Sequence, residues 1–238
     1  MTPGDLLDPF DSLDLAAVLI LTVAWFFLGF RIERTTSATP SVTVLMGAYR
    51  REWMRQFVTR TPRIYDASVL GNLRQSTSWM ASTTMIALGG LFALIGNTDP
   101  LISVAEDLAL TARNARTVEI KLLLTGLFLA HAFLKFLWSN RLFGYSAVIM
   151  SAVPNDPGDP LALPRAMQAA EVGIRAAVNF NRGLRATYFA LASLSWLLGS
   201  WALLAATVAV VWLVWSREFA SHSRAILLDP PPPARNRD

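Results

Sequence analysis

Runs of apolar residues as long as a bilayer's hydrocarbon layer is thick recur along this sequence, and the charged residues fall between them. A helix needs about 20 apolar residues to cross ~30 Å of hydrocarbon. Four runs meet that length, at 13–30, 76–96, 120–138 and 188–215. The fold class they predict is all-α: an integral membrane four-helix bundle, with further amphipathic helices in the loops. Composition agrees. Of the 238 residues, 53% are hydrophobic and 16% are charged, against about 25% charged in soluble domains. The chain is short of material for a water-facing surface.

The first run follows Asp5, Asp8, Asp11 and Asp14 and ends at Arg31 and Arg34. An acidic start without a small-residue cleavage site reads as an uncleaved anchor, not a secretory signal. The second run is rich in small and hydroxyl residues, among them Ser78, Ser82 and Gly89, which allow close helix approach. The third contains Lys121, His131 and Lys135. Both lysines lie near its ends, where their stems reach the headgroups. The fourth has no charge in 28 residues. At ~1.5 Å per residue it exceeds the bilayer and must tilt or project.

Arginine counting orients the chain. The loops at 31–75 and 139–187 carry thirteen arginines, and the remaining segments carry six. The positive-inside rule then places both loops in the cytoplasm of a bacterial inner membrane, with the tails 1–12 and 216–238 outside. The proline-rich end from about residue 229 reads as disordered. Between residues 41 and 60, apolar residues at Val42, Leu45, Met46, Tyr49, Trp53 and Phe57 define a helix with Arg50, Arg51 and Arg55 on its other sides. That helix packs on its own protein or lies in the membrane interface. A second loop helix starts near Pro164 and runs to about Asn181.

Three stretches carry a family resemblance. They are Leu73–Arg74 with Ser76 and Ala81–Ser82–Thr83; Ile120–Lys121 with Ala132–Phe133, Ser139 and Arg141; and Gly183–Leu184–Arg185 with Tyr188–Phe189 and Trp196. The chain resembles a family of four-pass membrane proteins of bacteria and plants catalogued as domain of unknown function 599. The resemblance implies a helical membrane fold and no assigned activity.

Three constellations are candidates for function. Arg74, Arg141 and Arg185, with Asn72 and Asn140, fall at the inner ends of the runs and suit an anion or lipid headgroup; positive-inside topology alone also produces this pattern. Lys121, His131 and Lys135 define a polar face within the membrane, readable as an ion path or as snorkelling lysines with a packing histidine. Ala192, Ser195, Gly199, Ala202, Ala206 and Ala209 step by threes and fours and make a small-residue stripe for helix packing, with the second run as its expected partner.

No phosphate loop, metalloprotease motif, nucleophile elbow or paired metal ligands occur, and there are no cysteines. No catalytic, cofactor or metal residue is assigned, and no nucleic-acid partner. The net charge of +4 suits anionic lipids at the cytoplasmic face. Three readings follow: a helix-packing scaffold or accessory subunit, as a homo-oligomer or within a larger membrane complex; a channel or transporter for a small anion; and a lipid-acting enzyme.

Overall fold

The structure is a computed structural model that describes residues 10–98 and 115–229. Asp5 and Asp8 of the acidic start, and the proline-rich end beyond residue 229, lie outside these residues. Helix α1 spans Ser12–Glu33, α2 Val42–Thr59, α3 Ile64–Gly96, α4 Ala115–Ser151, α5 Ala162–Leu194, α6 Ser200–Phe219 and α7 His222–Leu228. No strand occurs among the described residues. Four helices, α1, α3, α4 and the one beginning at Ser200, are long and apolar enough to cross a membrane.

The antiparallel α4–α5 pair is the spine. Its helices have 37 and 33 residues, about 55 and 50 Å at 1.5 Å per residue, so both outrun a bilayer. Their contact is close because α5 turns small residues to α4. Ala166, Ala169, Ala176 and Ala186 are fully buried. Gly183 is required there, since a Cβ would lie 2.6 Å from the Phe136 ring. Three hydroxyls cross the seam at opposed positions: Thr125 to Ser193 (2.8 Å), Ser139 to the Ala176 carbonyl (2.7 Å) and Ser146 to the Ala169 carbonyl (2.9 Å).

The other helices lean on this spine. Helix α3 packs on α4, with Asn140 donating to Ser78 and to the Arg74 carbonyl. Helix α2 packs on α5 through Gly47, Met54, Phe57 and Val58, so it is a helix of the protein's own core. Ser41 caps it, accepting from the Val44 N–H while donating to the Ile32 carbonyl. Helix α6 lies along α1 through Leu203, Thr207 and Val214.

The segment 188–215 is not one helix. Helix α5 continues without a break from the loop to Leu194, passes through a short 3-10 turn at Ser195–Leu198, and reverses at Gly199. Gly199 has φ +115°, a conformation that side chains with a Cβ resist. Polar groups freed by the break find partners. Ser195 Oγ donates to the Ala192 and Ala202 carbonyls. Lys121 Nζ donates to the Trp196 carbonyl at 2.9 Å. Asp14 accepts from Trp196 Nε1 and Ser200 Oγ.

This reversal replaces the single helix expected over 188–215 with two arms. Asp14 sits beside the turn, while Glu33, at the other end of α1, sits beside Arg182. Helix α5 therefore travels from the Glu33 level to the Asp14 level, and α6 returns: Glu218 accepts from Thr43 and Arg224 donates to the Pro40 carbonyl. The described helices run five times between the two levels, and the described ends lie at opposite levels. The predicted stripe is broken for the same reason. Ala192 is buried on α5, Ser195 and Gly199 build the turn, Ala202 and Ala206 are half-buried on α6, and Ala209 is exposed. The main partner of α3 is α4, not α6 or the turn. The close-packing stripe lies earlier, on α5.

Candidate functional site

A cleft of ≈ 500 Å³ opens between α1, α4 and α5 at the Glu33 level. Helix α1 contributes Trp25, Phe26 and Phe30, then Glu33 and Arg34 where it ends. His131 and Lys135, four apart on α4, face the same space, as do Arg182 and Arg185, three apart on α5. These spacings place each pair on one side of its helix.

Glu33 organises the site. Its carboxylate accepts from Arg182 Nε at 2.9 and 3.1 Å, and from terminal nitrogens of Arg182 and Arg185. Arg185 is buried and Arg182 half-buried. Four cationic side chains, Arg34, Lys135, Arg182 and Arg185, thus line the cleft against one carboxylate. The wall toward the first turns of α1 is aromatic. Trp25 meets His131 edge-on at 5.1 Å and Phe128 at 5.3 Å. Phe26 and Phe30 are exposed on the outer side. Such a cleft accepts an oxyanion at the arginines and apolar matter beside Phe26 and Phe30.

The three expected arginines do not meet. Arg185 is in this cleft. Arg74 is exposed and lines a separate hollow with Arg63 and Asn155. Arg141 is exposed, donates to Tyr145 on its own helix and stacks over Trp138 and Tyr145. Asn72 lies in a shallow groove with Trp79, and Asn140 ties α4 to α3. The cause is rotation about the helix axes: equal depth puts these side chains at one level but on different faces.

The polar face of α4 is likewise divided. His131 and Lys135 line the cleft, whereas Lys121 is buried at the Asp14 level, 5.3 Å from the Trp196 ring, and holds the turn. Between the two sets sit Phe128 and Phe189, rings 6.1 Å apart. Sequence reasoning missed Glu33, Arg34, Arg182 and Trp25. The available signal was Glu33 itself, a lone carboxylate among the arginines that close the first apolar run. No group of three His, Asp or Glu able to hold a metal occurs among the described residues.

With the geometry in place, comparison assigns the family. The chain matches the family described as "Protein of unknown function, DUF599" over residues 16–223. It belongs to that family. The match to DUF599 takes in the cleft, the turn at Gly199 and all helices from α2 to α6 in full. No curated protein and no solved structure matches the chain.

Proposed function

We propose that this DUF599 protein is a membrane component that holds an anionic lipid headgroup in the cleft between α1, α4 and α5. The observation that carries this reading is the charge balance of one space: four cations and one carboxylate beside an exposed aromatic wall. Arg182 and Arg185 are committed to Glu33, leaving Lys135 and Arg34 for a phosphate. Guanidinium and ammonium groups bind phosphate oxygens by charge-assisted hydrogen bonds, and acyl chains find Phe26 and Phe30 beside them.

The orientation that suits this role puts the arginine-rich end in the cytoplasm of a bacterial inner membrane. Segments joined to that end, at 31–75, 139–187 and 216–238, carry seventeen of nineteen arginines, a stronger bias than the topology with both termini outside gives. The N-terminus is then outside and α7 inside. Because the chain has no cysteine, single cysteines test this directly. One at Thr2 reacts with an impermeant thiol reagent in intact cells, and ones at Ser68 and Ser223 do not.

The lipid reading is tested with full-length protein in nanodiscs of phosphatidylcholine with a minor share of phosphatidylglycerol. Native mass spectrometry should find phosphatidylglycerol enriched on the protein. Lys135→Gln with Arg34→Gln should lower that enrichment about tenfold, the scale of one charge-assisted contact. Unchanged enrichment in the double variant defeats the reading.

A second reading, the accessory subunit, is favoured by α3. Its membrane half packs chiefly on α4, and Gly89 and Gly90 have nothing within 4 Å of an added Cβ. An open glycine pair in lipid suits a further helix. Gly89→Leu should dissociate a co-purifying complex without lowering the Tm of the monomer. Ion transport lacks comparable support, since the Phe128–Phe189 pair stands between the polar groups of the two levels.

A further inference from the structure

Helix α2 carries a group that the cleft at Glu33 does not use. Arg50 lies between Gly47 and Met54, on the side of α2 that faces the spine, and its guanidinium carbon stands 5.8 Å from the Phe143 ring. Its Nε is buried and has no hydrogen-bond partner. No carboxylate among the described residues pairs with it, and burial pushes its pKa below the ordinary arginine value. A buried cationic N–H without an acceptor is destabilising, so an acceptor from outside the chain relieves it.

Arg50 lines a cavity of ≈ 350 Å³ between α2, α3, α4 and α5, which shares no residue with the cleft at Glu33. The walls are apolar, with Met46, Leu73, Phe143, Ile174 and Phe180. Polar groups elsewhere in it satisfy each other: Asn181 donates to Thr43 Oγ1 at 3.0 Å, and Thr43 donates to Glu218 through its N–H and its hydroxyl at 3.0 and 2.9 Å. Arg50 is left as the one charged group there without a partner. The cavity also continues outward. It shares Ser76 and Phe180 with a groove lined by Trp79 and Met80 on the membrane half of α3, where Trp79 is 68% exposed. The two spaces therefore adjoin at Ser76 and Phe180.

We propose that this cavity binds an amphiphile bearing a single oxyanion, a carboxylate or a phosphodiester, with the anion on Arg50 and the apolar chain leaving between Ser76 and Phe180 toward Trp79. Nε and one terminal nitrogen of a guanidinium form a two-pronged contact that matches either oxyanion. The single unpaired cation sets the charge of the head at one, and Glu218 in the same cavity disfavours more. The volume falls in the range of about 300–1,000 Å³ of ligand pockets. The apolar walls and the opening to lipid select a chain-bearing ligand over a hydrated inorganic ion.

The test uses the full chain in phosphatidylcholine nanodiscs and two photoactivatable probes, a diazirine fatty acid and a diazirine phosphatidylglycerol, with inorganic phosphate as competitor. At least one probe should label saturably, with adducts on α2 and α5 near Met46 and Ile174; which of the two labels tells a free carboxylate from a headgroup. Arg50→Gln should weaken labelling about tenfold or more, and Arg50→Lys should restore part of it. Ser76→Trp, at an exposed position that closes the route to lipid, should abolish the adducts near Met46 and Ile174 and keeps the test valid if Arg50→Gln fails to fold. Lys135→Gln, in the other cleft, should leave these adducts unchanged while lowering any adducts at the Glu33 cleft. Adducts near Met46 and Ile174 that persist in Ser76→Trp or in folded Arg50→Gln overturn the proposal, as does their absence with both probes. Displacement by millimolar phosphate overturns it too, since the site would then take a small anion.

Discussion

The same two helices, α4 and α5, pass through both ends of this molecule, yet the ends are held together differently. At the arginine-rich end, Met54, Phe57, Phe143 and Met150 form a buried cluster with the alanines of α5, and ion pairs Arg51–Glu171 and Arg60–Asp66 lie around it. At the Asp14 end, large apolar residues crowd the outside: Ile86 is 76% exposed, Leu127 69% and Trp201 74%. The interior there relies on small residues and on polar bonds such as Thr125–Ser193 and Lys121 to Trp196. Solvent explains the difference. In water, hiding apolar surface drives packing. In hydrocarbon it drives nothing, and close fit and buried hydrogen bonds must hold the helices.

The sharpest way to break this comparison is to empty matched core positions. Phe143→Ala should cost about 3–5 kcal/mol, the sum of lost transfer energy and cavity. Leu203→Ala, fully buried against α1, should cost about 2 kcal/mol less than a Leu→Ala change in a water-facing core, because only the cavity part remains. Unfolding in mild detergent measures both; equal losses would dissolve the distinction. Filling tests the complement. Gly183→Ala places its Cβ 2.6 Å from the Phe136 ring and should cost about 1–3 kcal/mol as overpacking, whereas Gly90→Ala, in open space, should be neutral or slightly stabilising.

Smaller still is the contribution of the polar bonds. Lys121→Met should lower stability by about 1–3 kcal/mol, because the Trp196 carbonyl loses its donor, with the loss seen as early proteolysis near Gly199. The smallest effect belongs to the exposed pair Arg51–Glu171. The hydrogen bond from Arg51 holds the Glu171 carboxyl below its ordinary value of 4.5. A lowered carboxylate pKa stabilises the fold above that value and ceases to do so as pH falls through the folded-state pKa. Glu171→Gln should therefore cost about 0.2–1 kcal/mol at pH 7, and the difference from the parent should vanish only in acid. A pH dependence between 6 and 8 would contradict the pairing.

Much of the fold is legible in the sequence because hydropathy reports depth. The runs at 13–30, 76–96 and 120–138 all fall inside α1, α3 and α4. Depth does not report direction around a helix, which is why Arg74, Arg141 and Arg185 share a level and no pocket. Nor does hydropathy register a turn whose polar atoms are satisfied by distant side chains. The run 188–215 stays apolar through Gly199 because Lys121, Asp14 and Ser200 supply the partners. Its surplus length was the sign that it held more than one crossing. Arg50 illustrates the same limit at the other end. The strongest apolar spacing on α2 placed it outside, yet the buried side runs through Gly47 and Met54, and Arg50 between them reaches the Phe143 ring.

The reversal at Gly199 also bears on biosynthesis. Helix α5 is not among the helices apolar enough to cross alone, and it carries Arg182 and Arg185 at its membrane boundary. It follows α4 closely along its whole length, and α6 comes only after the turn. During synthesis α5 therefore has no independent reason to partition into lipid until α4 is in place beside it and α6 has emerged behind it. The last third of the chain enters as a hairpin or not at all, and the tight turn that joins its arms becomes the step on which insertion of the whole protein depends.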